Sequence, residues 1–339
     1  MLKSMMAAVI NQWGSAETFE IVQRPIPELE ADDVLVKVAY AGVNPADWKM
    51  RAGYLESALP NGAFPLVLGL DASGIVVATG ENVVEFSEGD RVVSGTNQFT
   101  AGKPGSYAQY LVVNKKRVAL VPPEMTLESA ATIPVAGITA WQALFAADKG
   151  ALEKGENRKI LINGASGGVG SFAVQLAKWA GADVATTCSG ANLEYVRSLG
   201  ADFPIDYKTQ NISDEIAKWA PNGVDLIVDA ISAGSLTDPV ALLKQGGKLV
   251  SIATLTDDGD IEASIAEAKE RGAAKILAYV DDSRFGEELQ KLVDIVDAGG
   301  MRLPPTEPFE LNDVARAHEK LEGGHVRGKL VLRVSAEPH

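Results

Sequence analysis

The chain has 339 residues, 46% of them hydrophobic, and a formal net charge of −14 at pH 7. This length favours two domains with sizeable cores, and the acidic balance argues against nucleic-acid or anionic-membrane partners, because both attract clustered Lys and Arg. The single Cys188 excludes an internal disulfide, and no run of about 18 apolar residues is present to span a membrane. We therefore expect a cytoplasmic protein.

The first 123 residues predict an antiparallel, β-rich domain. Short β-branched runs alternate with Gly, Pro and Asp from residue 5 to about residue 122, which is typical of strands joined by turns. After Pro122 and Pro123 the chain becomes rich in Ala and Leu at helical spacing. We therefore expect a domain boundary near residue 123.

From Arg158 onward, apolar strands alternate with amphipathic helices. This alternation indicates βαβ units and a parallel sheet. The predicted strands are KILING, DVATTC, VDLIVDAIS and GKLVSIAT, and the predicted helices cover 168–180, 191–199 and 236–245. The strand AKILAYV, two helices from GEELQKLVDIVDAG and LNDVARAHEKLEGG, and the strand GKLVLRV follow. The last strand is a candidate to rejoin the first domain.

A glycine-rich turn, NGASGGVG at 163–170, joins the strand KILIN to the next helix. In a dinucleotide-binding fold such a turn lets bare backbone approach the pyrophosphate, whose charge rests on the helix N-terminus. Its G-x-x-G-x-x-G spacing departs from G-x-G-x-x-G, so a tight connection without a ligand is the alternative. The flanking strand and helix favour the dinucleotide interpretation. The candidate cofactor-binding residues of the turn are Ser166, Gly167, Gly168 and Val169.

The end of the following strand indicates which dinucleotide binds. A carboxylate there would bind the ribose hydroxyls of NAD. The segment instead reads Thr187, Cys188, Ser189 and Gly190, followed closely by Asn192. Neutral side chains leave room for the extra phosphate of NADP, which a carboxylate would repel. The sequence therefore favours NADPH, with Ser189 and Asn192 as candidate contacts.

Five motifs occur in the order found in a known superfamily. They are NPADWKMRAGY at 44–54, GLDASGIVVATG at 69–80, GENVVEFSEGDRVV at 80–93, VAGITAWQAL at 135–144 and NGASGGVG at 163–170. With them the chain resembles the medium-chain dehydrogenase/reductase superfamily, in particular its zinc-independent NADPH:quinone oxidoreductase and enone reductase branch. The resemblance implies an α/β protein and a homodimer formed through an edge strand of the nucleotide domain. Its parts would be a GroES-like catalytic domain over 1–123, a Rossmann doubly wound parallel-sheet NADP-binding domain over 124–275, and a segment, 276–339, that ends the Rossmann domain and returns to the catalytic domain.

Zinc-dependent members of that superfamily hold their catalytic metal with a Cys after A-G-V and a His in a G-H-E-x-x-G segment. This sequence has Asn44 and Leu70 at those places. Structural zinc needs four ligands, typically Cys, and all three histidines of the chain lie at or beyond His318. We therefore expect no metal. Without a Lewis acid, enones and quinones are easier hydride acceptors than simple carbonyls, because hydrogen-bond donors can stabilise their delocalised charge.

The resemblance places three candidate catalytic residues, Asn44, Lys49 and Tyr54, in the loop that faces the nicotinamide. Asn44 is suited to bind the cofactor ribose or a substrate oxygen, Lys49 to place a cation near an oxyanion, and Tyr54 to donate a proton. Structural roles are the alternatives: a turn former, a solvated lysine and a packed ring. Asp47 is interpreted as structural. The further cofactor contacts that the resemblance implies are Thr139, Tyr207, Ile252 and Ala253.

The predicted function is transfer of hydride from NADPH to a quinone or to the C=C bond of an α,β-unsaturated carbonyl. A short-chain reductase would need a Tyr-x-x-x-Lys pair, and no tyrosine here has Lys four residues on. Two alternatives stay open. One is an enoyl-thioester reductase, which would want basic residues at the pocket mouth, and the other is a non-catalytic NADPH-binding protein.

Overall fold

A computed structural model describes residues 4–56, 64–96, 103–231, 234–252 and 260–336. The chain divides into two compact units. The first unit comprises Met1–Ala136, Asp282–Gly299 and Leu303–His339, and the second comprises Gly137–Asp281 and Gly300–Arg302. This division lies somewhat beyond the boundary predicted near residue 123.

The strands and helices are numbered in chain order. The strands are β1 (Ser4–Ile10), β2 (Phe19–Pro25), β3 (Asp33–Val43), β4 (Leu66–Val67), β5 (Asp71–Thr79), β6 (Arg91–Gly95), β7 (Tyr110–Asn114), β8 (Val118–Leu120), β9 (Lys159–Asn163), β10 (Asp183–Cys188), β11 (Phe203–Asp206), β12 (Val224–Asp229), β13 (Leu243–Ser251), β14 (Ala274–Leu277), β15 (Thr306–Glu310) and β16 (Lys329–Arg333). The α-helices are α1 (Pro45–Arg51), α2 (Leu127–Ala130), α3 (Pro134–Phe145), α4 (Gly168–Ala180), α5 (Leu193–Ser198), α6 (Ile212–Trp219), α7 (Ile261–Glu270), α8 (Phe285–Asp297) and α9 (Val314–Glu322).

The first unit contains a three-stranded sheet and a seven-stranded sheet. The smaller has the order β2-β1-β4, and the larger runs β15-β16-β3-β5-β6-β8 with β7 also paired to β3. These pairs are antiparallel apart from β15 with β16. Alternate residues of β3, such as Val34, Val36 and Val38, lie in the core, which also holds Leu330 and Leu332 of β16. The predicted β-rich, GroES-like part of the fold is confirmed.

The second unit is built on a six-stranded parallel sheet with the order β11-β10-β9-β12-β13-β14. The strand order reverses between β9 and β12, which is the doubly wound arrangement of dinucleotide-binding folds. In such sheets the ligand binds beyond the carboxyl ends of the strands at this reversal. The predicted Rossmann fold is confirmed, and the site is expected next to Asn163 and Asp229, the last residues of β9 and β12.

Helix α4 has the bounds predicted for it, because its apolar spacing is regular and glycines delimit it. Phe172 and Leu176 are fully buried on one face. Gly181 ends the helix at φ +98°, a left-handed conformation that glycine adopts at least cost. The helix therefore starts at the glycine-rich turn and packs its apolar face inward.

One predicted helix was wrong, and several observed elements were not predicted. The helix predicted over 236–245 is only a single 3₁₀ turn, Pro239–Leu242, followed at once by β13. Gly246, at φ +76°, and Gly247 weaken a helix there, and β13 pairs with β12 and β14 on either side. The elements absent from the prediction are α1, β11, α6, α7 and β15.

Of the helices in the described parts of the chain, none has both the length and the apolarity needed to cross a membrane.

Candidate functional site

Polar side chains join the carboxyl ends of three neighbouring strands in the second unit. Asn163, at the end of β9, donates through Nδ2 to Asp229 Oδ1 at 2.7 Å, at the end of β12. Thr187 Oγ1, in β10, donates to Asn163 Oδ1 at 2.5 Å and accepts from the Gly164 N–H at 3.0 Å. No role was predicted for Asn163 or Asp229, although a polar residue near the end of each apolar strand is visible in the sequence. Together they fix the start of the glycine-rich turn.

The glycines of the turn meet different demands. Gly164 has φ +83°, and a Cβ at Gly170 would lie 2.3 Å from the Gly164 carbonyl oxygen, so the fold itself needs both glycines. A Cβ at Gly167 would meet only that same oxygen, at an ordinary 3.6 Å. The fold therefore does not require glycine at 167, whereas a ligand lying against the backbone would.

The N-terminus of α4 offers backbone donors at the same place. Its first helical hydrogen bond runs from the Ser171 N–H to the Gly167 carbonyl at 3.0 Å. The N–H groups of Gly168, Val169 and Gly170 precede that bond and have no helical acceptor. Such donors, with the helix dipole, attract an anion. The turn thus fits the pyrophosphate of a nicotinamide dinucleotide.

Four of the predicted cofactor contacts lie close together beside this turn. Asn192 Nδ2 donates to Ser166 Oγ at 3.2 Å and to Ser189 Oγ at 3.3 Å. The Tyr207 N–H donates to the carbonyl of Cys188 at 3.2 Å, so Tyr207 adjoins the end of β10. Hydroxyl and amide groups therefore surround the place where the adenosine ribose of a dinucleotide is expected.

A carboxylate that was not predicted, that of Asp206, lies at this same place. Asp206 ends β11 and pairs with Cys188 of β10. Its Oδ2 would lie 2.8 Å from a Cβ on Gly190, and it accepts from Thr209 Oγ1 at 3.0 Å. Burial, with a smaller contribution from Asp206, raises the pKa of the Cys188 thiol to about 11. β10 lacks a carboxylate at its end as predicted, but its neighbouring strand supplies one.

In the first unit, Asn44 belongs to a buried polar cluster. Lys329 Nζ donates to Asn44 Oδ1 at 2.6 Å and to Asp71 Oδ2 at 2.8 Å. Asn44 Nδ2 donates to the same Asp71 oxygen at 2.8 Å. Asp71 Oδ1 accepts from the Val135 N–H, at the start of α3, at 2.8 Å. Neither Asp71 nor Lys329 was singled out from the sequence.

The other two candidate catalytic residues differ in exposure. Lys49, on α1, is buried, and its ammonium lies 5.8 Å from the centre of the Trp48 ring. Tyr54 is 54% exposed, and its ring packs edge-on against Trp48 at 6.1 Å. Exposure leaves the Tyr54 hydroxyl accessible as a proton donor, whereas Lys49 is held within the unit.

Asp47 has the structural role expected of it. Its Oδ2 accepts from the Asn44 N–H at 2.7 Å and so caps the start of α1. Burial raises the pKa of this carboxyl to about 7, although the bond from Asn44 lowers it. Asp47 therefore fixes the backbone of the residue whose side chain belongs to the polar cluster.

Three predicted cofactor contacts remain. Thr139 lies in α3 and is buried. Ile252 follows β13, and its N–H donates to the Asp229 carbonyl at 2.9 Å, which places it near the carboxyl end of β12. Ala253 lies outside the described residues.

The positions that bind zinc in zinc-dependent relatives do not fit a zinc ion here. Leu70 has no ligand atom, and the oxygen of Asn44 already receives the Lys329 ammonium at 2.6 Å. A cation so close would repel a divalent metal. Within the described ranges, no three His, Cys, Asp or Glu side chains are grouped as a metal site. Asn44 and Leu70 therefore do not form a zinc site.

Comparisons with known proteins agree with the fold. The family model for a zinc-binding dehydrogenase matches residues 199–332, and that for an alcohol dehydrogenase GroES-like domain matches residues 30–123. The chloroplastic NADPH-dependent alkenal/one oxidoreductase of Arabidopsis thaliana is 33% identical, over 97% of this chain and 80% of that protein. The chloroplast envelope quinone oxidoreductase homolog of the same plant is also 33% identical, over 97% of this chain and 98% of that protein.

A solved structure extends the likeness to three dimensions. The quinone oxidoreductase from Coxiella burnetii matches with a TM-score of 0.84 and 31% identity, over 98% of this chain and all of that one. Because relatives above 30% identity cover nearly the whole chain, both the fold and the ancestry are shared. The protein therefore belongs to the medium-chain dehydrogenase/reductase superfamily of nicotinamide-dependent oxidoreductases, the family that its motifs resemble.

Proposed function

We propose that this protein is a zinc-independent oxidoreductase that uses NADPH to reduce a quinone or the C=C bond of an α,β-unsaturated carbonyl. The observation that carries the proposal is the cluster of Asn44, Asp71 and Lys329, in which Asn44 occupies the position of a metal-binding Cys of zinc-dependent relatives and receives an ammonium instead of a metal. An acceptor that spreads its developing charge over a conjugated system needs hydrogen-bond donors and no metal. The names of the plant relatives support the same acceptor class.

Bound NADPH would supply the hydride. The chain's residues would bind and orient it: the glycine-rich turn and α4 would hold the pyrophosphate, and Ser166, Ser189 and Asn192 would border the adenosine ribose. Asn44 presents an amide N–H to an oxygen of the cofactor or of the acceptor. The exposed hydroxyl of Tyr54, or water, supplies the proton that completes the reduction.

NADPH is proposed over NADH because hydroxyl and amide side chains border the ribose site. Asp206 opposes this choice, since a carboxylate repels a phosphate. Its oxygens, however, accept from the Lys208 N–H at 3.1 Å and from Thr209 Oγ1 at 3.0 Å. These two bonds hold the carboxylate within its own turn.

The experiment that tests the function is NADPH oxidation, followed by absorbance, with an enal, an enone, a benzoquinone, an enoyl thioester and a saturated ketone as acceptors. We expect turnover with the conjugated carbonyls or the quinone and little with the saturated ketone. Turnover confined to the thioester would favour an enoyl-thioester reductase. Tight NADPH binding without turnover of any acceptor would favour a non-catalytic NADPH-binding protein.

The homodimer implied by the resemblance is also a proposal. Strand β14 lies at one end of the six-stranded sheet, and its four residues are only partly buried. Tyr279 and Val280, just beyond it, are exposed. Light scattering on the purified protein tests this, and a monomer at micromolar concentration would exclude it.

A further inference from the structure

Three side chains of the first unit form a closed, buried triangle. Asn44 is 3% exposed, Lys329 is 4% exposed and Asp71 is fully buried. The Lys329 ammonium touches the Asn44 oxygen and the Asp71 carboxylate, and the Asn44 nitrogen touches the same carboxylate oxygen. Each member therefore bonds to both of the others.

The two charges decide which way the Asn44 amide faces. An ammonium can only donate a hydrogen bond and a carboxylate can only accept one. The amide oxygen must therefore face Lys329 and the amide nitrogen must face Asp71. An amide turned over would set N–H against ammonium and oxygen against carboxylate, which is repulsive on both sides.

This orientation leaves one amide N–H for a ligand. Asn44 Nδ2 carries two hydrogens, and one of them goes to Asp71 at 2.8 Å. The second hydrogen of Asn44 Nδ2 has no acceptor in the described part of the chain. A buried donor without a partner is costly, so a bound ligand oxygen is the natural acceptor.

Several segments of the fold position the side chains of this triangle. Asp71 begins β5 and also binds the Val135 N–H at the start of α3. Lys329 begins β16, whose next residue, Leu330, pairs with Val43 beside Asn44. Gly42 leaves room for the carboxylate, since a Cβ there would lie 2.7 Å from Asp71 Oδ2.

A buried ion pair is often no more stabilising than an apolar pair of similar size, so stability alone does not explain this one. We propose that Asp71 and Lys329 are positioning residues: their ion pair holds the Asn44 amide with one N–H directed to an oxygen of the cofactor or of the acceptor. The inference rests on the proposed function. Both oxygens accept the same hydrogen bond, and the experiment distinguishes them.

The test is a double-mutant cycle with Asn44→Ala, Lys329→Met and the two combined. Asp71→Asn/Lys329→Met, which removes both charges together, is the second route if Lys329→Met alone does not fold. Lys320→Met is the matched control, because it removes a lysine from the exposed ion pair with Glu307 in the same unit. Thermal unfolding, the Kd of NADPH, and kcat and KM for the best acceptor are measured for each.

We expect Asn44→Ala and Lys329→Met each to lower kcat/KM on the order of tenfold, the effect of one lost hydrogen bond to a developing charge. In the Asn44→Ala background, Lys329→Met should add little further loss, because it acts through the amide. Lys329→Arg, which keeps a donor-only cation, should recover part of the activity. A raised Kd for NADPH would place the oxygen on the cofactor, and a lowered kcat with unchanged Kd would place it on the acceptor.

Losses that multiply in the double variant would overturn the positioning role, and so would Lys329→Met or the charge-free pair behaving like Lys320→Met. A wild-type protein that does not oxidise NADPH with any of the acceptors tested would instead overturn the proposed function. The two failures are therefore distinct.

Discussion

The hydroxyl of Tyr107 lies 3.1 Å from Nε2 of His318, and both side chains are fully buried in the first unit. On the other side of the ring, Arg51 Nη1 lies 3.5 Å from Nδ1. Arginine only donates, so Nδ1 accepts and Nε2 carries the proton that goes to Tyr107. Burial raises the pKa of the Tyr107 hydroxyl well above its usual value, so this hydroxyl keeps its proton. Arg51, His318 and Tyr107 thus form one buried polar chain in the first unit.

Asp47 should make stability fall as pH rises. Its pKa is about 7 in the folded protein, against an ordinary value of 3.8, so between these values the folded protein keeps a proton that the unfolded chain loses. Stability then decreases by up to about 1.4 kcal/mol per pH unit, and it levels off above pH 7. Asp71, Lys329 and Tyr107 are the groups that act on Asp47.

The variant Asp47→Asn removes this dependence and keeps an acceptor for the Asn44 N–H. We expect the free energy of unfolding of the variant, relative to wild type, to grow from pH 4 to pH 7 in urea titrations. Parallel curves over that range would show that Asp47 is ionised throughout.

His318 should act in the opposite direction. Burial and the nearby Arg51 lower the pKa of His318 from 6.5 to about 3. Between these values the unfolded chain binds a proton that the folded protein does not bind. Stability is lost as pH falls from 6.5 toward 3, by up to about 1.4 kcal/mol per unit. His318→Gln should remove this loss of stability at low pH, so that the pH dependence due to Asp47 is observed alone. A variant with the wild-type pH profile would contradict the assignment.

Gly167 should be needed for the cofactor and not for the fold. Because a Cβ at 167 has only an ordinary contact at 3.6 Å, Gly167→Val should unfold close to the wild-type temperature. Its bulk should nevertheless raise the Kd of NADPH at least tenfold. Gly323→Ala, at another position with ordinary 3.5 Å contacts and helical φ, is the control and should change neither quantity. Wild-type NADPH affinity in Gly167→Val would overturn the pyrophosphate site.

Asp206 should weaken the preference for NADPH. Removing its charge with Asp206→Asn should lower the Kd of NADPH several-fold and leave that of NADH nearly unchanged, since only NADPH carries the extra phosphate. The effect should shrink at high salt. Asp260→Asn, at the cap of α7, serves as the control. Equal changes for both cofactors would show that the phosphate binds elsewhere.

The sequence predicted the elements whose bounds depend on local features, such as apolar spacing and flanking glycines. The bounds of α4 follow from its apolar spacing and flanking glycines, and the parallel sheet follows from alternating strands and helices. Helix α1 is too short for periodicity to reveal, although Asn44 before Pro45 is a helix-start signal. The prediction of a helix over 236–245 was wrong because strand pairing outweighs local helical preference.

The long-range contacts of the site could not be predicted. Asp71 and Lys329 are 258 positions apart, and nothing in either segment indicates that they meet. Asp206 went unnoticed because β11 was not predicted, and a carboxylate that would select NAD was sought only at the end of β10. Ser166, Ser189 and Asn192 lie together, since the strand-turn-helix pattern fixes which segments converge, and their contact with the cofactor stays a prediction.

The most direct test of metal-free hydride transfer is the rate of enone or quinone reduction by NADPH after exhaustive chelation, with the zinc content of the same sample measured. The arrangement of Asn44, Asp71 and Lys329 predicts full turnover with no stoichiometric zinc, and no gain when zinc is added back. Loss of turnover on chelation and its recovery with zinc would contradict the account.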